Sequence, residues 1–168
     1  MPHEDHEQSA RTLAARCAVV TLSDTRTQAT DTSGRRIADL LQADGHTIAF
    51  YRVIRDEPAE LAALLDDLLS RPDIDAILTT GGTGIGRRDS TIPVVRQRLD
   101  TVLDGFGELF RSLSYQEIGP AAMMSRAIGG IARGKLLLAM PGSTAAVELA
   151  MTKLIVPQLR HLLWELRR

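Results

Sequence analysis

Residues 74–89 read IDAILTTGGTGIGRRD, a short apolar run that leads directly into a glycine-rich loop. The run over residues 74–79 is typical of a buried β-strand because it is short and rich in aliphatic side chains. The four glycines that follow permit positive φ angles and close backbone approaches. A strand that ends in such a loop is typical of open α/β sheets, in which ligands bind beyond the carboxyl ends of the parallel strands.

The first half of the chain repeats this alternation of strand and helix. Residues 17–22 and 47–54 are predicted strands, and the helical pattern between them ends at Gly45. A second helical pattern precedes the third strand, with leucines spaced i, i+3, i+4 and i+7 from Leu61. Strands and helices in this order predict right-handed crossovers and a parallel sheet covered by helices on both faces.

The second half is more helical. We predict a helix that starts near residues 90–93 and further helices over 104–114 and 120–127. We also predict strands over 128–133 and 135–140, and helical structure in the last 25 residues with a kink or break at Pro157. Met123 and Met124 are interpreted as core residues. Residues 1–15 are polar and are predicted to form a flexible tail, whereas residues 16–168 are predicted to form one α/β domain.

Composition narrows the class of protein. The chain has 168 residues, of which 44% are hydrophobic, and its net charge of −1 gives no basic excess for nucleic acid. No segment approaches the roughly 18 apolar residues that a membrane span needs, and residues 1–15 contain no apolar signal core. The single cysteine, Cys17, lies in an apolar run, which favours a buried thiol in a reducing compartment. We therefore expect a cytoplasmic protein without nucleic-acid or membrane partners.

Polar or glycine-rich segments follow four of the predicted strands. These segments are Ser23-Asp24, Asp56, the glycine loop and Pro141-Gly142-Ser143. Because the carboxyl ends of parallel strands meet at one edge of a sheet, we expect the four segments to converge there.

The glycine loop has two interpretations. Its amides and the start of the next helix would bind phosphate, with positive charge added by Arg87 and Arg88. Alternatively, it is a tight turn between a strand and a helix, with solvated arginines. The loop is neither a Walker A motif, which requires Gly-Lys-Ser/Thr, nor a dinucleotide fingerprint, which has a different spacing and opens the first strand–helix unit.

Two aspartates are ambiguous in the same way. Asp89 is placed to cap the helix that follows, although Ser90 or Thr91 would serve equally well. Asp56 is placed to start the turn into Pro58. Both are also candidate Mg²⁺ ligands, because this ion prefers a few carboxylates together with substrate phosphates. Two carboxylates, a metal ion and a polyphosphate would suit in-line transfer at phosphorus.

The motifs occur together in a known family. TTGGTGIGRRDSTIP, residues 79–93, closely resembles the signature of the molybdopterin-binding, Mog/MoaB-like family of molybdenum cofactor biosynthesis proteins. The resemblance runs from about Val19 to Leu159 and includes LSDTRT, DTSG, DGFGELFRSLSYQEIG, SRAIGGI and LLLAMPGST. The combination of SLSYQEIG with AMPGST resembles the MoaB branch, since the adenylyltransferase branch more often has Leu-Pro-Gly followed by Asn or Gln and Pro.

The resemblance implies a three-layer α/β/α fold with a mostly parallel central sheet, assembled into homotrimers or homohexamers. It implies adenylylation of molybdopterin, a dithiolene, with Mg-ATP, which gives molybdopterin-AMP and pyrophosphate, and partners among other proteins of the pathway. Asp56 and Asp89 match catalytic carboxylates that bind Mg²⁺. The positions that match the nucleotide- and pterin-binding pocket are Ser23, Asp24, Gly81, Gly82, Thr83, Gly84, Ser114, Ser125, Pro141, Gly142 and Ser143.

Two other functions compete with this one. A non-catalytic carrier or scaffold of the same pathway would keep the pocket and bind molybdopterin without any transfer. An oxidoreductase with a Rossmann fold is disfavoured, because the first predicted strand ends in Ser23-Asp24 and not in a glycine cluster.

Overall fold

The computed structural model describes residues 12–168. The predicted flexible tail over residues 1–15 therefore lies outside the described residues for positions 1–11. Its last residue belongs to the fold, because Ala15 is fully buried and its N–H donates to His46 Nδ1 at 2.9 Å. The Ala15 carbonyl accepts the N–H of Thr47 at 2.9 Å, which aligns the chain for the first strand.

Strands and helices alternate along the described chain. The strands are β1 (Arg16–Leu22), β2 (Thr47–Ile54), β3 (Ala76–Thr80), β4 (Thr101–Val102), β5 (Ile128–Ala132) and β6 (Lys135–Met140). The α-helices are α1 (Thr32–Ala43), α2 (Pro58–Ser70), α3 (Thr91–Arg96), α4 (Asp104–Ile118), α5 (Thr144–Ala150) and α6 (Val156–Arg167). A 3₁₀ helix covers Gly119–Met124, and a π-helical segment, Met151–Ile155, joins α5 to α6.

The strands form one six-stranded sheet in the order β2-β1-β3-β6-β5-β4. The first four strands in this order are parallel, whereas β5 and β4 are antiparallel to their neighbours. Helices α1, α4, α5 and α6 pack on one face, and α2 and α3 pack on the other. In β1 the side chain of Val19 faces the first group and that of Val20 faces the second. Burial on both faces explains why the strand reads as a continuous apolar run, and the three-layer α/β/α prediction is confirmed.

The interpretation of Met123 and Met124 as core residues is wrong for this chain. Their segment is a 3₁₀ helix in which only Ala122 is buried, and Met123 and Met124 are 84% and 54% exposed. Gly119, with φ +64, ends α4 and redirects the chain, so the segment runs along the surface.

Two further differences concern short elements. Strand β4, of two residues, was not predicted because it is too short to show a periodic pattern. At Pro157 the helical backbone continues without a loop: Pro157 lies in the first turn of α6, and the preceding turn widens into the π-helical segment. This turn contains the carbonyl of Lys153, which the proline ring would crowd in a regular α-helix. Among residues 12–168 no helix is both long and apolar enough to cross a lipid bilayer.

Candidate functional site

The carboxyl ends of β1, β2, β3 and β6 meet around one open cavity of about 500 Å³. Its lining consists of Thr21 to Arg26, Asp56, Gly81 to Gly84, Asp89, Met124, Ser125, Pro141 and Gly142. All four segments that follow the predicted strands contribute to it. The 3₁₀ helix adds Met124, and Ser125 follows directly.

Two of the predicted pocket residues lie elsewhere. Ser114 and Ser143 line a smaller cavity of about 120 Å³, which shares Ser125 and Pro141 with the larger one. Ser114 is 5% exposed, and the Ser143 hydroxyl accepts the N–H of Ala146 at 3.1 Å as the N-cap of α5. The two cavities are neighbours, so the predicted set divides into a main pocket and a side pocket.

The first two loop residues must be glycines. Gly81 and Gly82 have φ angles of +97° and +65°, which side-chain-bearing residues rarely adopt. A Cβ on Gly81 would lie 2.3 Å from the Leu22 carbonyl oxygen, and one on Gly82 would lie 2.4 Å from Thr91 Oγ1. Thr91 also holds the loop, since its hydroxyl donates to the Gly81 carbonyl at 2.9 Å and its N–H donates to the Gly82 carbonyl at 3.0 Å. The loop therefore has a fixed path beside the end of β1.

Asp89 does not cap helix α3. The N-cap residue is Ser90, and no side chain accepts a hydrogen bond there. Asp89 Oδ2 instead accepts the N–H of Gly86 at 2.9 Å, and its carboxylate packs so closely that a Cβ on Gly84 would lie 2.7 Å from Oδ2. The carboxylate is thus turned back toward the glycine loop and the cavity.

Asp56 carries a buried oxygen without a partner. Its N–H donates to Asp24 Oδ1 at 3.1 Å, but no hydrogen-bond donor within residues 12–168 reaches its own Oδ1. Burial raises the pKa of Asp56, and the negative charges of Asp24 and Asp89 raise it further. The side chain does not cap α2 either, since the N-cap residue is Glu57 and the cap position has no side-chain hydrogen bond.

These carboxylates fit a divalent cation. A buried anionic oxygen without a partner, next to two further carboxylates, is stabilised by a positive ion. No group of three or more His, Cys, Asp or Glu side chains in the described chain is arranged to hold a metal by itself. Mg²⁺ suits this situation, because it is usually bound by one or two carboxylates and completes its shell with water and substrate phosphates.

Arg88 binds acidic side chains of the protein, a pairing that neither interpretation of the glycine loop included. Its guanidinium donates to Asp24 at 2.8 and 3.2 Å, to Glu57 at 3.0 Å and to the Asp56 carbonyl at 3.2 Å. The hydrogen bonds from Arg88 and from the Asp56 N–H lower the pKa of Asp24. Asp24 is 32 residues from Asp56 and 64 residues from Arg88 in the chain, so sequence spacing gave no sign of this contact.

Two other arginines at the site were not predicted. Arg126 donates to the Gly84 carbonyl at 3.2 Å and so ties the glycine loop to the segment before β5. Arg26 lines the cavity and donates to Ser33 Oγ at 3.0 Å, and that hydroxyl donates to the Gly142 carbonyl at 2.7 Å. Both arginines belong to sequence blocks of the resemblance, LSDTRT and SRAIGGI, which was the one available signal.

Comparison with known proteins gives one consistent result. Residues 18–161 match the family described as "Probable molybdopterin binding domain". The chain is similar to molybdenum cofactor biosynthesis protein B of Halalkalibacterium halodurans, with 49% identity over 167 residues, 99% of this chain and 98% of that one.

Solved structures agree with the sequence comparison. A crystal structure of molybdenum cofactor biosynthesis protein B matches with a TM-score of 0.90 and 47% identity, over 93% of this chain and 98% of the other. The tungsten cofactor synthesizing protein MoaB from Pyrococcus furiosus matches with a TM-score of 0.83 and 32% identity, over 92% and 98% of the two chains.

Proposed function

The chain belongs to the molybdopterin-binding family of molybdenum cofactor biosynthesis proteins, on its MoaB branch, and from this premise we propose that it adenylylates molybdopterin with Mg-ATP. In this reaction an oxygen of molybdopterin forms a bond to the α-phosphorus of ATP. The bond from that phosphorus to the bridging oxygen breaks, and pyrophosphate leaves. The products are molybdopterin-AMP and pyrophosphate.

The observation that carries this proposal is the buried Oδ1 of Asp56, which has no hydrogen-bond donor in residues 12–168. A buried carboxylate oxygen without a partner costs stability, and a divalent cation that enters with the nucleotide would offset that cost. Asp56 and Asp89 would hold Mg²⁺, which supplies charge neutralisation on the phosphates when bound.

The other residues of the main pocket bind and orient. Gly82, Thr83 and Gly84 line the pocket, and their amides would suit phosphate oxygens because glycines let the backbone approach a bulky anion closely. Ser23 and Ser125 offer polar side chains to the nucleotide or the pterin. The side pocket that contains Ser114 and Ser143 opens beside Ser125 and would accept a further part of the pterin substrate.

The experiment is a pyrophosphate-release assay with purified molybdopterin, ATP and Mg²⁺. We expect release that requires all three, and a loss of at least about a hundredfold in Asp56→Asn and in Asp89→Asn. Asp67→Asn is the matched control, because Asp67 is an exposed aspartate on α2 that does not line the cavity. Tight molybdopterin binding without any pyrophosphate would support the carrier function instead.

We also propose that the chain assembles into a homo-oligomer. Its exposed large apolar side chains concentrate on α4, the 3₁₀ helix and the glycine loop, and they are Ile85, Leu109, Tyr115, Ile118, Met123 and Met124. A second copy of the chain is the occupant that such a face suits, because apolar surface of this kind marks protein contacts. Since Met124 also lines the main pocket, a second copy on this face would stand at the edge of the site.

A further inference from the structure

Arg88 connects the three loops that surround the main pocket. It belongs to the glycine loop after β3, and its guanidinium binds Asp24 after β1 and Glu57 after β2. The same group donates to the carbonyl of Asp56 at 3.2 Å. One side chain therefore joins the ends of three neighbouring parallel strands.

Because of this pairing, the carboxylates of Asp24 and Asp56 differ in their hydrogen-bond partners. Asp24 Oδ2 accepts Arg88 Nε at 2.8 Å, and Asp24 Oδ1 accepts both Arg88 Nη2 at 3.2 Å and the Asp56 N–H at 3.1 Å. Both oxygens of Asp24 thus accept hydrogen bonds from the protein, and the carboxylate is held facing Arg88. Asp56, in contrast, has its Oδ1 free of any donor from residues 12–168.

Stability is a weak explanation of this arrangement. The side chains of Arg88, Asp24 and Glu57 are 59%, 39% and 51% exposed, so water screens these ion pairs and limits their contribution to folding. Arginine is nevertheless well suited to the position, because its planar fork binds a carboxylate through two donors and reaches a second acceptor at the same time. The contact is therefore better explained by what it does to the pocket.

We propose that Arg88 withholds Asp24 from the metal, so that the site without nucleotide offers only Asp56 and Asp89. The number of carboxylates largely sets how tightly an oxygen site holds a divalent cation. A pocket with three available carboxylates would fill with metal before the nucleotide arrives. A pocket with two binds the cation weakly until phosphate oxygens complete the shell, so the metal enters together with ATP. Arg88 is in this sense a positioning residue that acts through Asp24.

The inference rests on the proposed function in one respect, which is that Asp56 and Asp89 receive the cation. Its test needs no turnover. Mn²⁺ alone is added to the purified protein without nucleotide or pterin, and free Mn²⁺ is measured by its electron paramagnetic resonance signal. The variants are Arg88→Met, Arg87→Met and the double variant Arg88→Met with Asp24→Asn.

Arg88→Met should bind Mn²⁺ about five- to tenfold more tightly than the wild type, because it releases one carboxylate and removes one positive charge near the metal. Asp24→Asn in the same chain should cancel this gain. Arg87→Met is the charge-matched control, since Arg87 is exposed and its side chain has no hydrogen bond or ion pair with residues 12–168. It should change the affinity by less than about twofold.

An unchanged or weaker affinity in Arg88→Met, with an intact thermal unfolding transition, would overturn the inference. An equal gain in Arg87→Met would also overturn it, because the effect would then be general electrostatics. If Arg88→Met does not fold, Arg88→Lys carries the test. Lysine keeps the charge but lacks the fork that joins Asp24 to Glu57, and a gain of about two- to fivefold is expected.

The two proposals can fail separately. If the variants show the expected Mn²⁺ affinities but the wild type releases no pyrophosphate, the role of Arg88 stands and the transferase function is wrong. If the wild type releases pyrophosphate but Arg88→Met binds Mn²⁺ with unchanged affinity, the transferase function stands and the proposed role of Arg88 is wrong.

Discussion

At the scale of single residues, the main pocket contains side chains and backbone angles that lower the stability of the folded state. Asp56 holds a buried oxygen without a donor from residues 12–168, and two negative side chains lie near it. Gly82 adopts a positive φ angle so that the loop can pass beside the same carboxylate. Such arrangements are common at functional sites, where the gain is in binding or chemistry.

Asp56→Asn should stabilise the protein at neutral pH. Burial and neighbouring charges raise the pKa of Asp56, so the folded state holds the proton more tightly than the unfolded state does. The free energy of unfolding therefore falls as the pH rises above the unfolded pKa of about 3.9. We expect Asp56→Asn to raise it at pH 7 by on the order of 1 kcal/mol in urea unfolding, with a smaller gain at pH 4.

Asp67→Asn serves as the control, because Asp67 is exposed on α2 and lies outside the pocket. Its free energy of unfolding should stay close to that of the wild type at both pH values. A destabilised Asp56→Asn at pH 7 would mean that the carboxylate has a stabilising partner in solution.

Gly82→Ala should damage the loop. The methyl group would meet Thr91 Oγ1 at 2.4 Å and Asp56 Oδ1 at 2.9 Å, at a φ angle that alanine disfavours. We expect a loss of about 2 to 4 kcal/mol in the free energy of unfolding, measured by urea titration. Gly105→Ala is the matched control, since Gly105 lies in the first turn of α4 with no atom within 4 Å of an added Cβ. That variant should gain up to about 1 kcal/mol.

Sequence reasoning located the carboxylates of the pocket but not their pairing. Asp24 and Asp56 come just after predicted strands and Asp89 ends the loop after a third, and the geometry of a parallel sheet predicts that such segments converge. The function of Arg88 was missed because an arginine beside a glycine loop has the same pattern whether it binds a ligand or an aspartate far away in the chain. Only the folded structure shows which partner lies within reach.

At the scale of helices and strands, prediction depended on the length of an element more than on its burial, since the eight-residue strand β2 has only one buried residue. Strand β2 was predicted with the bounds that the structure shows, and β1 to within one residue. Strand β4, of two residues, and the 3₁₀ helix, of six, are too short to show a period, so the first was missed and the second was assigned to the core. The packing between elements also depends on polar contacts that have no sequence period.

Asp75 is one such contact, and it should matter most at neutral pH. It precedes β3 and accepts hydrogen bonds from the N–H and guanidinium of Arg16 on β1 and from Arg167 on α6. Burial alone would raise the pKa of Asp75, but these donors outweigh it and lower the pKa to about 2. The stabilisation is therefore complete above the unfolded pKa of about 3.9 and is lost as the pH falls toward 2.

We expect Asp75→Asn to lower the free energy of unfolding by about 1 to 2 kcal/mol at pH 7. The difference from the wild type should shrink between pH 5 and pH 2, in line with the titration of Asp75. Asp73→Asn is the control, because Asp73 pairs with Arg71 while its side chain is 51% exposed, and its loss should be much smaller. A loss in Asp75→Asn that does not depend on pH would point to packing instead of charge.

At the scale of the whole molecule, the apolar face on α4 and the 3₁₀ helix is the feature that a single chain does not explain. Six large apolar side chains on this face and the glycine loop are more than half exposed. Sequence patterning suggested a core position for Met123 and Met124, and a contact between copies would restore that interpretation at the level of the assembly. The period of a sequence records burial but not whether the chain buries its own surface or a partner's.

Met123→Glu should dissociate the assembly. Met123 is 84% exposed in the single chain, so a glutamate there leaves the fold intact but places a charge in the proposed contact. We expect association to weaken by at least about tenfold in sedimentation velocity experiments. Gln42→Glu on α1 introduces the same charge on another surface and should sediment as the wild type does. If the wild-type protein sediments as a monomer, the proposed homo-oligomer is wrong.

The two edge strands of the sheet bear on aggregation, because an edge strand can pair with a strand of another molecule. Strand β4 offers only two residues to an incoming strand. At the other edge, Arg52 on β2 and Arg71 after α2 place their guanidinium carbons 5.0 and 5.7 Å from the centre of the Phe50 ring. Short or positively charged edges resist the addition of further strands, which is how aggregates and fibres begin. Both edges of the sheet therefore disfavour growth by strand addition.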